Sequence, residues 1–120
     1  MKTILGLLMM ALLVADQPRR VLLFYTENGS DKWKAQVEAF EGQQNDMRER
    51  DIEIKSIPYS KANAREWRKW KIDSSNAFTF ILVGRDGGEK LRSSDIVTSA
   101  KLFGTIDAMP MRKQEVKKNR

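Results

Sequence analysis

Cysteine and histidine are both absent from this 120-residue sequence. Without cysteine the protein can form no disulfide and no thiolate nucleophile, and without histidine it has no imidazole to activate a hydroxyl. A zinc site built on sulfur or imidazole is excluded for the same reason. Carboxylate, hydroxyl, amine and guanidinium chemistry remains, and the sequence predicts no cofactor and no metal.

Long apolar runs are scarce, and the clearest stands at the N-terminus. Lys2 precedes an apolar run from Ile4 to Val14, interrupted by Gly6, and Ala15 stands before polar residues. A membrane span needs about 20 apolar residues, so this run is too short for one. We therefore predict a signal peptide over residues 1–15, a domain over 16–109 and a basic, solvated C-terminal extension over 110–120. The mature protein is expected in the periplasm or outside the cell.

Positive charge is in excess, with 22 Lys and Arg against 16 Asp and Glu and a net charge of +6. This balance favours an anionic component of the envelope or extracellular space as a partner, and we do not expect nucleic acid. A solvated basic surface explains the same excess equally well. Hydrophobic residues make up 41% of the chain, enough for one core.

Four strands are predicted from apolar patterning. Val21–Tyr25 and Phe78–Val83 are nearly continuous apolar runs, which is typical of strands buried on both faces. Ile52–Ile57 alternates charged and apolar residues, which indicates an edge strand. Gly84–Gly88 carries the Asp-Gly signal of a hairpin, and Glu89–Arg92 is its short return strand.

Three amphipathic helices are predicted between and after these strands. The first covers residues 31–47 and is weakened at Gly42, and the second covers residues 61–72. The third follows Ser94 or Asp95, either of which can cap it.

The order of elements is βαβαββα, which predicts an α/β protein. Buried strands belong inside the sheet and crossovers are right-handed, so we expect a four-stranded mixed sheet in the order 2-1-3-4, flanked by helices. That arrangement is the core of the thioredoxin-like fold. Another small α/β sandwich with the same elements is the alternative.

Four segments carry a resemblance to a known family. They are the hairpin Gly84–Arg92, the run Ile-Asp-Ala-Met-Pro-Met-Arg at Ile106–Arg112, Arg20–Phe24 and Glu49–Asp51. The sequence resembles the uncharacterised thioredoxin-like domain found in small exported bacterial proteins and in vertebrate sushi-repeat-containing extracellular proteins. The resemblance implies an extracytoplasmic domain of thioredoxin-like fold, and it supplies no catalytic residues.

The loop after the first strand is where thioredoxin-like enzymes place their chemistry, because the helix N-terminus lowers a thiol's pKa. Here the loop Thr26–Asp31 offers hydroxyls and carboxylates only, and Asn76-Ala77 stands before the third strand, where such enzymes usually place a proline. Ser30 is predicted to cap the helix, and anion binding at the helix end is the alternative.

The hairpin is the second candidate site. Arg85, Lys90 and Arg92 are expected to meet across it as a basic patch, with Asp86 as the local counter-charge. Arg112, in the motif of the resemblance, completes the set of candidate binding residues. The alternative is that these charges only keep an edge strand from pairing.

A third cluster interleaves Trp67 and Trp70 with basic residues over 65–71. Such a pattern can bind nucleic acid or a membrane, but two tryptophans on one helical face favour a place in the core. Glu27, Asp31 and Asp86 are the carboxylates nearest to loops that can converge.

Three functions are compatible with these features. The leading hypothesis is an exported, non-catalytic binding domain on a cysteine-free thioredoxin-like scaffold. The alternatives are a basic domain that binds polyanions and a thiol-independent enzyme that uses the loop carboxylates.

Overall fold

The computed structural model of the protein describes residues 17–118. The predicted signal peptide, residues 1–15, lies outside the described residues. The strands are β1 (Arg19–Tyr25), β2 (Ile52–Pro58), β3 (Phe78–Val83) and β4 (Glu89–Ser93). The helices are α1 (Ser30–Glu41), α2 (Gln44–Glu49), α3 (Ala64–Lys69), α4 (Ser99–Asp107) and α5 (Pro110–Lys118), and a 3-10 turn covers Glu27–Gly29.

The sheet has the predicted order, β2-β1-β3-β4. β1 runs parallel to β2, with Val21 opposite Ile54, and antiparallel to β3, with Val21 opposite Leu82. β4 returns antiparallel to β3 and carries a bulge opposite the Leu82–Val83 step. The mixed four-stranded sheet and its thioredoxin-like order are confirmed.

Two apolar layers cover the sheet, one on each face. Odd-numbered residues of β1 and even-numbered residues of β3 pack with α1, α2 and α4, through Phe40, Met47 and Leu102 among others. The opposite face packs against α3, mainly through Trp67. Because successive side chains of a strand point to opposite faces, the apolar runs of β1 and β3 supply both layers.

Helix boundaries differ from the sequence-based expectations in three places. The first helix is broken near Gly42 into α1 and α2, at the expected weak point. α3 is shorter than predicted and covers only residues 64–69. α4 begins after Thr98, whose hydroxyl accepts a 3.2 Å bond from the Lys101 N–H, so the predicted caps Ser94 and Asp95 are wrong.

A buried amide explains why α4 begins late. Both polar atoms of the Gln36 side chain bond to Val97, whose N–H donates at 2.7 Å and whose C=O accepts at 2.8 Å. These bonds hold Val97 in an extended approach to the helix, and they satisfy backbone groups that burial would otherwise leave unpaired.

The C-terminal segment was expected to be solvated, and that prediction is wrong for Arg112, whereas Pro110, Met111, Lys113, Gln114 and Lys117 are exposed. Residues 110–118 form α5, in which Arg112 is buried and Glu115 bonds to the Arg19 guanidinium at 3.1 Å. Arg19 is itself 1% exposed and lies at the start of β1. The last helix therefore packs on the start of the central strand.

Candidate functional site

The junction between β1 and α1 is closed by backbone contacts. The Thr26 N–H donates to the Ala77 carbonyl at 2.9 Å, and the Gly29 N–H donates to the Thr26 carbonyl at 2.9 Å. A Cβ on Gly29 would lie 1.9 Å from the Ala77 carbonyl oxygen. The two loops therefore meet with no room for a side chain between them.

Ser30 does not cap the helix as predicted. It is the first residue of α1, Gly29 occupies the N-cap position, and the cap makes no side-chain hydrogen bond. A glycine fits here because the Ala77 backbone occupies the space that a capping side chain would need. The junction thus presents a hydroxyl and no thiol, which removes the chemistry of thioredoxin-like enzymes from this position.

The hairpin residues are not one cluster. Arg85, Asp86 and Lys90 line a cavity of about 370 Å³ together with Arg19 and the segment Met109–Met111. Arg92 instead donates to the Trp70 carbonyl at 2.7 Å and pairs with Glu89 at 2.7 Å. Arg92 therefore lies on the α3 face of the sheet, separate from the other hairpin cations.

Each hairpin cation already has a carboxylate partner. Lys90 contacts Asp86 at 3.0 Å, as the expected counter-charge, and Arg85 contacts both Asp51 and Glu115 at 2.9 Å. The Gly88 N–H and then Lys90 hold the pKa of Asp86 below its usual value. The expected basic patch is therefore electrostatically compensated.

Two of the cations that line the cavity, Arg19 and Arg85, belong to a larger ion-pair network. Arg19 and Arg85 share Glu115, while Arg112 contacts Glu49 at 3.0 Å and Asp107 at 3.4 Å. Burial raises the pKa of Glu115, but bonds and charges from Arg19 and Arg85 outweigh it, so the net pKa is lowered. These groups fix α5 to the domain. Arg85 and Arg112 thus have a structural role that the sequence reasoning did not foresee, because Asp51 and Glu115, the partners of Arg85, and Glu49, a partner of Arg112, are remote in sequence.

The tryptophans of the third cluster pack as predicted. Trp67 is 3% exposed and meets Phe24 edge-on with ring centroids 5.5 Å apart, and Trp70 packs beside it. Tyr59 lies over the other edge of Trp67 at 4.9 Å and is 58% exposed. A cleft of about 400 Å³ opens beside Tyr59 and Trp67, with Arg68 and Lys71 in its wall.

Basic residues are concentrated around this cleft. All are exposed, and within residues 17–118 no carboxylate lies within salt-bridge distance of Lys61, Arg65, Arg68, Lys69 or Lys71. We call these five residues the basic segment. The alternation of aromatic and basic residues was visible in the sequence, but the absence of partners required the structure.

The three loop carboxylates do not converge. Glu27 and Asp31 follow the C-terminal end of β1, whereas Asp86 is in the hairpin after β3. β3 is antiparallel to β1, with Val83 opposite Arg20, so the hairpin lies at the other end of the sheet. Among the described residues, no group of three carboxylates is placed to hold a metal ion.

The fold and the thiol-free junction define a thioredoxin-like domain without thiol chemistry. A family model described as "Domain of unknown function (DUF4174)" matches residues 12–115. The chain therefore belongs to the DUF4174 family. No curated protein matches the chain.

Solved structures with the same fold come from parasites and bacteria. "Structure of a malarial protein" is 21% identical with a TM-score of 0.59 and covers 76% of this chain and 96% of its own. Thioredoxin-2, described as "a component of malaria parasite protein secretion machinery", is 21% identical with a TM-score of 0.60 and coverage of 77% and 84%. Trxlp from Edwardsiella tarda EIB202 is 18% identical with a TM-score of 0.53 and coverage of 84% and 91%. At these identities the likeness extends to the fold alone.

Proposed function

We propose that the protein is an exported, non-catalytic binding domain whose partner is a polyanion of the cell envelope or extracellular space. The observation that carries the proposal is the basic segment, five exposed cations that have no carboxylate partner within residues 17–118 and lie beside an aromatic cleft. The thiol-free β1–α1 junction supports a non-catalytic role. The separation of Glu27 and Asp31 from Asp86 weakens the alternative of a carboxylate-based enzyme.

The basic segment has the geometry of a polyanion site. Arg65 and Arg68 are three residues apart in α3, so they lie on one side of that helix, and Lys61 precedes the helix in a bend. Tyr59 adds an exposed ring at the edge of the cleft, to which a sugar or an apolar group can pack. Uncompensated cations attract an anion without first losing an internal partner, which the hairpin cations must do.

Retention on heparin and on anionic vesicles tests this assignment. The variant Arg65→Gln/Arg68→Gln/Lys71→Gln should elute from heparin at lower salt than the parent. If these three residues contact the polyanion, the plot of log affinity against log salt concentration should become less steep, its slope smaller in magnitude by about 2. Thermal stability should change little, because exposed charges contribute little to folding.

The matched control is Lys101→Gln/Lys113→Gln/Lys117→Gln, which removes the same charge from exposed positions on α4 and α5. If both triple variants lose the same affinity, retention reflects net charge and the basic segment is not a site. Binding to vesicles but not to heparin would assign a lipid surface instead of a polysaccharide.

The hairpin remains a predicted binding site and needs its own variant. Lys90→Gln/Arg92→Gln leaves Arg85 in its ion pairs and therefore avoids disturbing α5. We expect this variant to bind heparin like the parent, since both cations are engaged with Asp86 and Glu89. A large loss of binding would indicate that the polyanion binds at the hairpin.

Export is part of the proposal and has a direct test. The apolar run before Ala15 and the resemblance to exported bacterial and sushi-repeat-associated domains support it. Intact-mass measurement on protein from its native compartment should find a chain that begins at Asp16. A mass that includes Met1–Ala15 would contradict it. Within residues 17–118, the structure contains no helix long and apolar enough to cross a membrane.

A further inference from the structure

Strand β2 is an open edge of the sheet. It pairs with β1 on one side, and within residues 17–118 no strand pairs with its other side. The Tyr59 N–H donates to a β1 carbonyl, and the Asp51 carbonyl accepts from a β1 N–H. Because the direction of backbone groups alternates along a strand, the outward-facing N–H and C=O groups belong to even-numbered residues, here Ile52, Ile54 and Ser56.

The charges of this edge are complementary to themselves. Glu53 and Lys55 flank Ile54, and all three are exposed. If a second β2 pairs antiparallel about Ile54, Glu53 of each copy lies opposite Lys55 of the other. This pairing occurs twice, once on each side of the two-fold axis.

The direction of the backbone N–H and C=O groups agrees with the same register. The N–H and C=O of Ile54 point away from β1, so the two copies of Ile54 form a hydrogen-bonded pair. Ile52 of one copy and Ser56 of the other form such a pair for the same reason. This register gives about six backbone hydrogen bonds. The Glu53–Lys55 pairs then occupy non-hydrogen-bonded positions, where opposite side chains are closest. Pro58, which has no N–H to donate, faces outward at the end of the strand, beyond these pairs.

An apolar groove adjoins the edge. It has a volume of about 420 Å³ and is lined by α1, α2 and β2, including Val37, Phe40, Met47 and Ile52. Ile54 lies in its rim and is 39% exposed. Two copies of Ile54 that meet on this face would shield each other and the groove from water.

We propose that this edge is a homodimer interface, in which β2 of a second copy pairs antiparallel to β2 about Ile54 and extends the sheet to eight strands. Three features support the same register. The charges of Glu53 and Lys55 are complementary, the backbone hydrogen-bonding groups of Ile54 point outward, and the Ile54 side chain is apolar and exposed. The interface uses neither the basic segment nor the hairpin, so it is independent of the proposed function.

Charge reversal tests the register directly. Glu53→Lys places lysine opposite Lys55 twice, and Lys55→Glu places glutamate opposite Glu53 twice. Each single variant should dimerise about 30-fold more weakly than the parent, because two attractive cross-strand pairs become repulsive. The double variant Glu53→Lys/Lys55→Glu restores opposite charges and should dimerise like the parent.

A mixture of the two single variants is the sharpest measurement. Glu53→Lys and Lys55→Glu are each self-repelling, but together they place opposite charges at both positions, so a 1:1 mixture should form heterodimers. Sedimentation velocity over the micromolar range measures the parent, the two single variants, the double variant and the mixture, each as the full chain from residue 16. Circular dichroism confirms that each variant is folded.

Each possible result either supports the proposed interface or overturns it. A parent that dimerises, single variants that weaken and a mixture that recovers support the interface and its register. A parent that stays monomeric throughout the micromolar range overturns the proposal, and so does equal dimerisation of the parent and both single variants. A parent that is monomeric alone but captures an extended peptide on this edge would assign β2 to a different partner, which also overturns it.

Discussion

Among residues, Gly29 shows how a backbone contact can prevent any substitution. Gly29→Ala should lower the free energy of unfolding by about 2–3 kcal/mol, because its methyl group would overlap the Ala77 carbonyl oxygen. Gly104→Ala in α4 is the matched control, since no atom lies within 4 Å of the added Cβ. That change should stabilise the protein by about 0.5–1 kcal/mol. Urea unfolding measures both, and equal effects would contradict the close approach of the two loops.

Gln36 gives a second prediction at the same scale. Replacing it by leucine removes both bonds to the Val97 backbone and leaves a buried N–H and C=O unpaired. We expect a loss of about 2–4 kcal/mol in the free energy of unfolding. Gln114→Leu, at an exposed position in α5, should cost far less. If the two variants were equally stable, the Val97 bonds would contribute nothing to the fold.

Residue roles were only partly predictable from the sequence. The burial of Trp67 and the pairing of Asp86 with Lys90 follow from helical spacing and from a short turn, which are local patterns. Ser30 is displaced from the cap by the Ala77 backbone, Arg85 is held by Asp51, and Arg112 is held by Glu49, and tertiary packing brings each of these partners near. Local patterns contain no information about such partners.

Among the elements, α5 depends on one carboxylate for much of its docking. Glu115→Gln keeps the size of the side chain but removes the charge shared by Arg19 and Arg85, and should destabilise the protein by about 1–3 kcal/mol at neutral pH. The folded-state pKa of Glu115 is lowered, so its contribution is present above the unfolded pKa and is lost as the pH falls through the folded one.

The pH dependence distinguishes this role from a loss of packing. The stability difference between parent and Glu115→Gln should shrink steadily on acidification, because protonation removes the same charge from the parent. Glu38→Gln, at an exposed position in α1, should leave stability nearly unchanged at every pH. Denaturant unfolding at several pH values measures the three proteins, and a constant difference for Glu115→Gln would count against the ion pairs.

Helices and strands with a clear pattern of apolar residues were predicted correctly, whereas the residues at which they begin and end were predicted less well. β1 and β3 were recognised as buried because their apolar runs serve both faces of the sheet. The C-terminal helix was missed because its composition is polar and basic, which resembles a solvated end. The helix is held by contacts with Arg19 and Glu49. These contacts leave no periodic pattern in the sequence of the helix itself.

For the whole molecule, the absence of cysteine makes a firm prediction that the fold name would not suggest. The purified protein should reduce neither insulin disulfides nor peroxides, because thiol-based turnover requires a cysteine thiolate. A standard insulin-turbidity assay measures this, with a cysteine-containing thioredoxin as the positive control. Turnover by protein free of contaminating enzymes would refute it.

The order of strands in the sheet was predictable, because it follows from the burial of each strand and the handedness of crossovers. The distribution of charge over the surface could not be predicted from the sequence. The net charge of +6 counts paired and unpaired cations alike, and only the folded arrangement separates the compensated hairpin from the basic segment. The position that we propose for a binding site therefore depends on the structure, whereas the ligand charge that we propose follows from the composition alone.

The bond between Arg19 and Glu115 also places a condition on the order of events during biosynthesis. The two residues are 96 positions apart, and Arg19 opens the central strand of the sheet. A nascent chain that has emerged only as far as α4 must either bury the Arg19 guanidinium without a carboxylate or leave the start of β1 unpacked. A fold in which Arg19 is paired with Glu115 therefore requires nearly all of the domain to have been made. If the protein is exported, as we propose, a chain that is still unfolded at that moment is in the state that a narrow export channel can accept.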